Sequence, residues 1–371
     1  MGRYLFFSHD GYGLGHIRRN SVIARALSRA EPDAGVWLMT GVPSRPAWLE
    51  RWGDRVIRIP PLVKDGGSGY RPLAGSFEQT VSERRSAFTE TVDRIRPDVV
   101  VVDRHPLGTA GELGEGLEIA VRRGSALVLG LRDILDDPDV VAEEIGGDDW
   151  AAVPDLYDMV LVYGASRFCD HRDEYGLPAA PTYCGWVVEP PPTRRREPRL
   201  LAAAAGGGGD GDSVFRLAAE AVRRRPDWRA EVAVGPFADP APIRRAARGL
   251  SGRLKVHEAM AECGALFARA GRVLQMAGYN STIEAIAAGI RSVLVPRRFP
   301  RREQAIRAER LARLGLADVV DPDTRVDDLM PLLGRPRTVD RAEVARSGID
   351  LRGAERAAGW LRLLAKDVRA A

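Results

Sequence analysis

The chain has 371 residues, a length that predicts about two domains at ~150 residues each. Its residues are 45% hydrophobic and 29% charged, which is enough apolar material for ordinary cores and excludes an intrinsically disordered chain. The formal net charge is only +4, and the basic residues are mainly arginines that are scattered rather than clustered with aromatic residues. This distribution argues against a nucleic-acid-binding protein.

The cysteines and the N-terminus indicate the compartment. The three cysteines are an odd number without C-x-x-C spacing, in a chain large enough to fold without disulfides. The apolar run Tyr4–Phe7 is too short for the core of a signal peptide, and no stretch approaches the ~20 apolar residues of a membrane span. We therefore expect a cytoplasmic protein without an integral membrane segment.

Short apolar runs alternate with longer segments of helical period along the first half of the chain, which is the pattern of a parallel sheet covered by helices. The predicted strands are Tyr4–Ser8, Val36–Thr40, Val56–Ile59, Val99–Asp103, Ala126–Gly130 and Met159–Tyr163. The first helix, at about Gly15–Ala30, places its apolar residues near one face. Its arginines, Arg18, Arg19 and Arg25, are predicted to lie largely away from that face.

A proline-rich segment, Glu189–Pro198, divides the chain, because four prolines in ten residues do not continue a helix or a central strand. The alternation then restarts, with predicted strands at Leu200–Ala205, Glu231–Gly235, Leu254–His257, Val273–Met276, Ser292–Pro296 and Val319–Val320. The predicted fold class is α/β, with two doubly wound, Rossmann-like domains that face a cleft. The expected divisions are a first domain at 1–188, a linker at 189–198, a second domain at 199–345, and a C-terminal helix at 346–371 that can pack back on the first domain. Ligands of such folds bind at the carboxyl ends of the strands.

The first predicted strand runs into a glycine-rich loop, His9-Asp-Gly-Tyr-Gly-Leu-Gly-His16, and a helix follows at once. Gly13 and Gly15 let the backbone approach a phosphate, whose charge is favoured at the start of a helix. The spacing is not G-x-G-x-x-G, so no dinucleotide site is indicated. His16 lies where the strand end meets the helix and is a candidate catalytic base. The alternative is a histidine that caps the helix or hydrogen-bonds the loop.

In the second half, a buried strand stops near Gly278 and a hydroxyl-rich helix N-terminus follows. Asn280, Ser281 and Thr282 supply hydroxyls, an amide and backbone donors there, which suits a phosphate. Glu284 lies in the first turn and is a candidate to bind a ribose diol. The alternative is a capping box, Ser281-Thr-Ile-Glu284, in which the glutamate only closes its own helix.

Glu303 and Gln304 begin the helix after the strand Ser292–Pro296 and are candidates to bind sugar hydroxyls, the alternative being a solvated helix end. With these residues the chain resembles the GT-B glycosyltransferases, most closely the MurG-like group (family 28). The donor-binding domain of that group is similar to the run from Ala277-Gly278 to Gly289, to Val293–Pro296 and to Glu303-Gln304, and its N-terminal loop to G-Y-G-L-G-H-I-R-R. The resemblance implies that Ser281 and Thr282 hold the diphosphate, Glu284 the ribose, Glu303 and Gln304 the donor sugar, and that His16 is a base or a diphosphate contact.

The chain departs from that group at two places. Arg301 stands three positions before Gln304, where the group often has an aspartate, and this leaves the sugar preference open. The Gly-Gly-Ser loop that usually opens the second domain is here Gly206-Gly-Gly-Gly-Asp-Gly-Asp212. Gly207 and Gly208 are its phosphate-binding candidates, although its aspartates would repel a diphosphate if they pointed at it.

Polar clusters follow two further strands of the first domain, Asp103-Arg-His105 after one and Arg132-Asp133 after the other. Because strand ends carry the ligands of this architecture, Asp103 and Asp133 are alternatives to His16 as the base. The candidates to hold an acceptor are His9, Asp10, His105 and Arg132. Each of these residues alone is more often a turn residue or a helix cap.

No metal ion and no cofactor are expected. Cys169, Cys184 and His171 lack the close pairing and the fourth ligand of a zinc site. Asp210-Gly-Asp212 lies in a glycine-rich turn and is discounted as a metal motif. The tryptophan-bearing segment Pro46–Trp52 is a candidate acceptor wall or membrane-facing patch, or an ordinary amphipathic helix.

The resemblance implies a metal-independent, inverting glycosyltransferase that moves a sugar from a nucleoside diphosphate, expected to be UDP, to an acceptor hydroxyl held by the first domain. The acceptor is left open as a small molecule, a lipid-linked sugar or a glycan. One alternative keeps the donor site and uses water as the acceptor, giving a nucleotide-sugar hydrolase or an epimerase. Another is a non-catalytic sugar-nucleotide or nucleic-acid-binding protein, for which salt-sensitive DNA binding would be the sign.

Overall fold

The computed structural model describes residues 1–9, 13–64, 69–145, 147–205, 211–235, 238–258, 260, 262–299, 301–335 and 338–370. The chain divides into two compact units. The first unit contains Met1–Val187 together with Asp350–Ala371, and the second contains Val188–Ile349. The final segment of the chain therefore belongs to the same unit as its beginning.

The first unit is a seven-stranded parallel sheet in the order β3-β2-β1-β6-β7-β8-β9, with a separate antiparallel hairpin, β4–β5. Its strands are β1 Arg3–Ser8, β2 Gly35–Thr40, β3 Val56–Arg58, β4 Leu62–Lys64, β5 Tyr70–Pro72, β6 Val99–Asp103, β7 Ala126–Arg132, β8 Met159–Tyr163 and β9 Pro181–Tyr183. Its helices are α1 Gly15–Ala30, α2 Ala47–Glu50, α3 Phe77–Ile95, α4 Gly114–Arg122, α5 Pro138–Ile145, α6 Asp148–Ala151, α7 Val153–Leu156 and α8 His171–Tyr175, with a short 3₁₀ turn at Gly53–Arg55. The last helix of the chain, at Gly353–Ala370, packs on α1.

The second unit is a six-stranded parallel sheet in the order β12-β11-β10-β13-β14-β15. Its strands are β10 Glu197–Ala204, β11 Arg229–Ala233, β12 Leu254–His257, β13 Ala270–Gln275, β14 Ser292–Leu294 and β15 Ala317–Val319. Its helices are α9 Asp212–Arg224, α10 Pro240–Ala246, α11 Gly264–Arg269, α12 Tyr279–Ala287, α13 Glu303–Arg313, α14 Val326–Gly334 and α15 Arg341–Ser347. The Gly353–Ala370 helix of the first unit is numbered α16.

The predicted strands all overlap observed ones, because strands buried on both faces read as continuous apolar runs. In β6, for example, Val99–Val102 have no exposed surface at all. The apolar pattern did not predict β9 or the β4–β5 hairpin, whose strands are only three residues long. The expectation that Pro198 cannot occupy a central strand is wrong. Pro198 lies near the start of β10, where the pairing with β13 shifts register between Glu197 and Leu201, and such irregularities are where strands tolerate proline.

Both sheets are doubly wound, which confirms the predicted fold class. In the first unit the strand order reverses between β1 and β6, and in the second between β10 and β13. The pairing of Phe7 with Val102 brings the carboxyl ends of β1 and β6 side by side. The carboxyl ends of these two pairs of strands are therefore the positions where open α/β sheets bind ligands.

Helix α1 buries more of its arginines than the sequence predicted. Arg18 and Arg19 are 5% and 2% exposed, although helical periodicity placed them away from the buried face. The reason is that both lie in the first turns of α1 and contact other elements. The Arg18 guanidinium lies over the Trp48 ring, and Arg19 contacts Asp103. None of the helices in the described part of the chain is both long and apolar enough to cross a membrane.

Candidate active site

The loop after β1 delivers His16 to the carboxyl edge of the first sheet. Gly13 has a φ of +97°, a conformation that glycine adopts without a steric penalty. Leu14 is the N-cap of α1 and has no side-chain capping bond, so the helix begins at Gly15 and His16 lies inside its first turn. The His16 ring contacts the end of β6 from there.

His16, Asp103 and Arg19 form a buried ionic cluster. The Nδ1 atom of His16 lies 3.1 Å from Oδ1 of Asp103. The Nη2 group of Arg19 donates to both carboxylate oxygens of Asp103, at 2.9 Å and 2.7 Å. The Asp103 side chain has no exposed surface, whereas the His16 side chain is 14% exposed. The histidine is thus the member of the cluster that solvent reaches.

The charge state of Asp103 follows from its surroundings. Burial raises the pKa of this carboxyl, but the neighbouring Arg19 and His16 outweigh that effect and lower the pKa to about 2. Asp103 is therefore ionised at neutral pH, and its Oδ1 atom and the Nη2 atom of Arg19 both lie 3.1 Å from Nδ1 of His16. In the tautomer that carries its proton on Nδ1, His16 donates to Asp103 and presents Nε2 as a proton acceptor.

Two further histidines extend the cluster. The His9 ring lies 4.3 Å from that of His16 and 4.9 Å from that of His105, measured between ring centroids. Burial lowers the pKa of His9 and of His105 well below the usual range, and the neighbouring histidines and arginines lower both further. His9 and His105 are therefore neutral at pH 7. His9 Nδ1 lies 3.3 Å from the carbonyl oxygen of Asp103, and Tyr70 Oη lies 3.1 Å from Nε2 of His105.

Arg104, between Asp103 and His105, has a left-handed backbone with φ +75°. Such a conformation is unfavourable for a residue with a Cβ atom and persists where the surroundings enforce it, often at functional sites. The turn is closed by the backbone N–H of His105, which donates to the carbonyl oxygen of Asp103 at 3.1 Å, and the Arg104 side chain forms a buried ion pair in which Nη2 donates to Glu144 Oε2 at 2.8 Å. The turn at Arg104 sets the directions of Asp103 and His105.

The other predicted residues of the first unit have further contacts of their own or lie outside the described residues. Asp133 is buried, and its carboxylate accepts the backbone N–H of Ile134 at 2.7 Å and the indole N–H of Trp186 at 3.1 Å. Arg132 donates to the carbonyl oxygen of Leu135 at 2.6 Å. Asp10 lies outside the described residues.

In the second unit, α12 begins differently from the capping-box alternative. Its N-cap is Gly278, and Ser281 lies within the first turn, with Oγ 3.5 Å from the carbonyl oxygen of Gly278. Glu284 does not close its own helix through such a box. Its Oε2 accepts the backbone N–H of Cys263, the N-cap of α11, at 2.9 Å. The buried Glu284 therefore links α12 to α11.

The N-terminal turn of α12 carries the remaining polar candidates at the carboxyl end of β13. Asn280 is half-buried there. Thr282 is 2% exposed, and its hydroxyl has no hydrogen-bond partner within the described part of the chain. Gly207 and Gly208, predicted to belong to the same phosphate site, lie outside the described residues.

Glu303 and Gln304 are buried at the start of α13, and both contact Arg297. Arg297 Nη2 donates to Glu303 Oε1 at 2.6 Å, and the Arg297 backbone N–H donates to Gln304 Oε1 at 3.2 Å. Farther along α13, Arg307 Nη1 donates to the carbonyl oxygen of Ala277 at 2.9 Å. This bond ties α13 to the segment that opens α12.

Sequence reasoning missed Arg19, Tyr70, Arg297 and Arg307. Arg19 lies three residues after His16, a spacing that puts two side chains on one face of a helix, and Arg307 follows Gln304 at the same spacing. These spacings were available signals. The contact of Tyr70 with His105 depends on the β4–β5 hairpin, and no signal in the sequence indicated it. Across the described residues, no group of three or more His, Cys, Asp or Glu side chains is arranged to hold a metal ion.

No protein-family model matches the sequence, and a search of curated proteins gave no match. Solved structures are similar over nearly the whole chain. MurG from Acinetobacter baumannii is 13% identical with a TM-score of 0.56, and all of each chain is covered. The glycosyltransferase SnogD from Streptomyces nogalater is 17% identical with a TM-score of 0.60, covering 99% of this chain and 96% of that one. A putative UDP-N-acetylglucosamine 2-epimerase from Listeria monocytogenes is 14% identical with a TM-score of 0.56, covering 96% and 90%.

Proposed function

We propose that this chain, which has the GT-B fold and resembles MurG, is a glycosyltransferase. In this proposal it moves a sugar from a UDP-linked donor to an acceptor hydroxyl, with inversion and without a catalytic metal. The observation that carries the proposal is the His16–Asp103 pair at the strand-order reversal of the first sheet. A buried, ionised carboxylate that orients a partly exposed imidazole is the arrangement of a general base.

In the proposed reaction, Nε2 of His16 accepts the proton of the acceptor hydroxyl. The hydroxyl oxygen forms a bond to the anomeric carbon, the bond from that carbon to the diphosphate breaks, and UDP leaves with the bonding electrons. Asp103 stabilises the imidazolium that forms, and it remains ionised because Arg19 keeps its pKa low. The acceptor is held in the first unit, with His9, His105, Asp10 and Arg132 as its proposed contacts, and Asp133 is a further candidate base.

The donor binds the second unit in this proposal. Gly278, Asn280, Ser281 and Thr282 hold the diphosphate at the N-terminal turn of α12, where backbone N–H groups favour an anion. The Gly13, Gly15, Gly207 and Gly208 positions supply further backbone contacts to phosphate. Glu284 binds the ribose, and Glu303 and Gln304 contact the sugar. Donors fixed around the leaving diphosphate stabilise the charge that develops on it.

A second candidate function is a nucleotide-sugar epimerase or hydrolase. The observation that favours it is the similarity to the putative UDP-N-acetylglucosamine 2-epimerase. The two functions differ in what they release without an acceptor. An epimerase or hydrolase converts UDP-N-acetylglucosamine alone to an epimer or to free sugar and UDP, whereas a transferase needs the acceptor for turnover.

The test compares His16→Ala with His257→Gln, a control whose histidine pairs with Glu231 in the second unit. Turnover is measured as UDP release from UDP-sugars with a panel of small-molecule and glycan acceptors, alongside UDP affinity and melting temperature. His16→Ala should lower turnover by ~10²-fold or more, the usual contribution of a general base, with UDP affinity unchanged. Normal turnover of His16→Ala would refute the proposal that His16 is the general base. Weakened UDP affinity would identify His16 as a diphosphate contact instead.

A further inference from the structure

The Nδ1 atom of His16 lies within hydrogen-bond reach of both an acceptor and a donor. Oδ1 of Asp103 and Nη2 of Arg19 are each 3.1 Å from it. The same Nη2 group lies 2.9 Å and 2.7 Å from the two carboxylate oxygens of Asp103. Because Nη2 carries two hydrogens, it can donate to only two of these three atoms. The atoms that it chooses therefore decide which nitrogen of His16 carries the imidazole proton.

Two hydrogen-bond arrangements are open to these three side chains. In the first, Nη2 of Arg19 donates to both oxygens of Asp103, and the Nδ1–H of His16 donates to Oδ1. In the second, Nη2 donates to Nδ1 and to Oδ2, and the imidazole proton lies on Nε2. The first gives the ionised carboxylate three hydrogen bonds, whereas the second leaves its buried Oδ1 without a donor, which is costly. The first arrangement is therefore favoured, and it leaves Nε2 of His16 without a proton.

The guanidinium of Arg19 is held beside His16 by contacts with two further elements. Arg19 is 2% exposed and lies three residues after His16 on α1. It donates to Asp103 at the end of β6. Its Cζ atom lies 5.0 Å from the centroid of the Tyr163 ring at the end of β8, which is a cation–π distance. Arg19 therefore stays near Nδ1 when His16 gains or loses a proton.

The charge of Arg19 opposes the protonation of His16. While His16 is neutral, the charges of Arg19 and Asp103 balance each other. A proton on Nε2 gives the buried cluster two positive charges and one negative charge. A like charge at this distance disfavours the charged form of a titrating group. Without Arg19, the carboxylate would instead be balanced by protonated His16 alone, so His16 would hold its proton more tightly.

Further titratable or charged groups border this cluster from the ends of β1 and β6. They are His9, His105 and the ion pair of Arg104 with Glu144. Both histidines are neutral because burial lowers their pKa, and the ion pair carries no net charge. A protonated His16 would therefore share the carboxylate of Asp103 with Arg19.

We propose that Arg19 is a positioning residue for the proposed general base. By occupying the carboxylate of Asp103 it directs the Nδ1–H of His16 to Oδ1, and its charge keeps Nε2 unprotonated at neutral pH. The inference rests on the proposed function and adds a residue that acts through His16 and Asp103 rather than on the substrate. When the proton of the acceptor hydroxyl moves to Nε2, Arg19 and Asp103 both stay ionised.

The test follows His16 by NMR in the full chain with isotope-labelled histidine and no ligand, with His16→Ala to assign the signal. In the wild type, the nitrogen chemical shifts should place the proton of neutral His16 on Nδ1. In Arg19→Gln the pH midpoint of His16 protonation should rise by about one unit or more, because a nearby like charge is removed. Arg19→Lys keeps the charge and should show a smaller rise. The control Arg84→Gln breaks a different buried pair, with Glu112, and should leave the midpoint unchanged.

The kinetic counterpart uses the donor and acceptor that give turnover in the acceptor panel. In Arg19→Gln the acid limb of kcat/KM against pH should move upward by the same amount as the NMR midpoint, and turnover should recover at high pH. A purely structural role for Arg19 would instead lower turnover at every pH.

An unchanged midpoint in Arg19→Gln, or an equal rise in Arg84→Gln, would overturn the inference. A wild-type His16 that carries its proton on Nε2 would also overturn it, and this measurement remains decisive if Arg19→Gln does not fold. The expected titration in a chain that shows no turnover with any donor or acceptor would support the arrangement of the three side chains and overturn the proposed function.

Discussion

Replacing Asp103 with asparagine tests the electrostatics of the candidate active site through stability alone. The native pKa of about 2 lies below the ordinary value of 3.8, and this gap corresponds to about 2 kcal/mol of stabilisation. Because the folded pKa is the lower one, the stabilisation is complete above about pH 5 and is lost as the pH falls toward 2. About half of it is gone at pH 3.

The asparagine variant loses more than this pH-dependent part. It removes the carboxylate from a buried Arg19 guanidinium, and breaking a buried ion pair in this way costs about 3–5 kcal/mol. At pH 7 the free energy of unfolding should therefore fall by about 3–5 kcal/mol. At pH 3 the difference between wild type and variant should be smaller by about 1 kcal/mol, because the wild-type carboxylate has already lost part of its advantage.

Urea denaturation followed by tryptophan fluorescence is a suitable assay, since Trp228 is the one tryptophan of the second unit and the other six belong to the first. The matched control is Asp93→Asn, which breaks an exposed pair with Arg123 and should cost less than about 1 kcal/mol. A loss at pH 7 no larger than that of the control, or a difference that is the same at pH 3 and pH 7, would refute the assigned ion cluster.

Three further substitutions test the fold. Arg96→Gly should raise the free energy of unfolding by about 1 kcal/mol in urea denaturation, because Arg96 ends α3 with a φ of +49°, a conformation that costs a side-chain-bearing residue about that much. Glu284→Ala should cost about 1–3 kcal/mol and speed amide hydrogen exchange at Cys263, because it removes the acceptor of the Cys263 N–H. Gly271→Ala should lower the melting temperature by several degrees, because its Cβ would lie 2.7 Å from the carbonyl oxygen of Pro198. For each variant, a stability equal to that of the wild-type chain would contradict the backbone conformation or the contact from which the prediction was made.

The sequence was sufficient for the fold because the buried strands are apolar runs separated by helical segments. Local composition did not predict an element correctly where the element is short or where packing against a neighbouring strand decides its conformation. The edge strand β9 has three residues, too few for a periodicity. Pro198 enters β10 because the register shift against β13 accommodates it, and the sequence of β10 does not reveal that shift.

The candidate site was predicted in parts. His16 and Asp103 were singled out separately as strand-end residues, and the parallel pairing of β1 with β6 brings them together. Arg19 was missed because helical periodicity assigns a charged residue to solvent unless its partner is known, and Asp103 is 84 residues away. The capping-box alternative at Ser281–Glu284 could not be decided from the sequence either. It depends on the contacts of Glu284, and the residue that donates to Glu284 is the distant Cys263, through its backbone N–H.

The membership of α16 in the first unit has a consequence for how the chain is made. Ala357, Leu361 and Ala365 are buried in this helix, which packs on α1, and the N–H of Gly353 bonds the carbonyl oxygen of Trp186. Roughly 160 residues of the second unit are synthesised between the two parts of the first. At about 5–20 residues per second this interval lasts roughly 8–30 s. During that time the face of α1 that α16 later covers is exposed on the ribosome, and exposed apolar surface of this kind makes a nascent chain prone to aggregation.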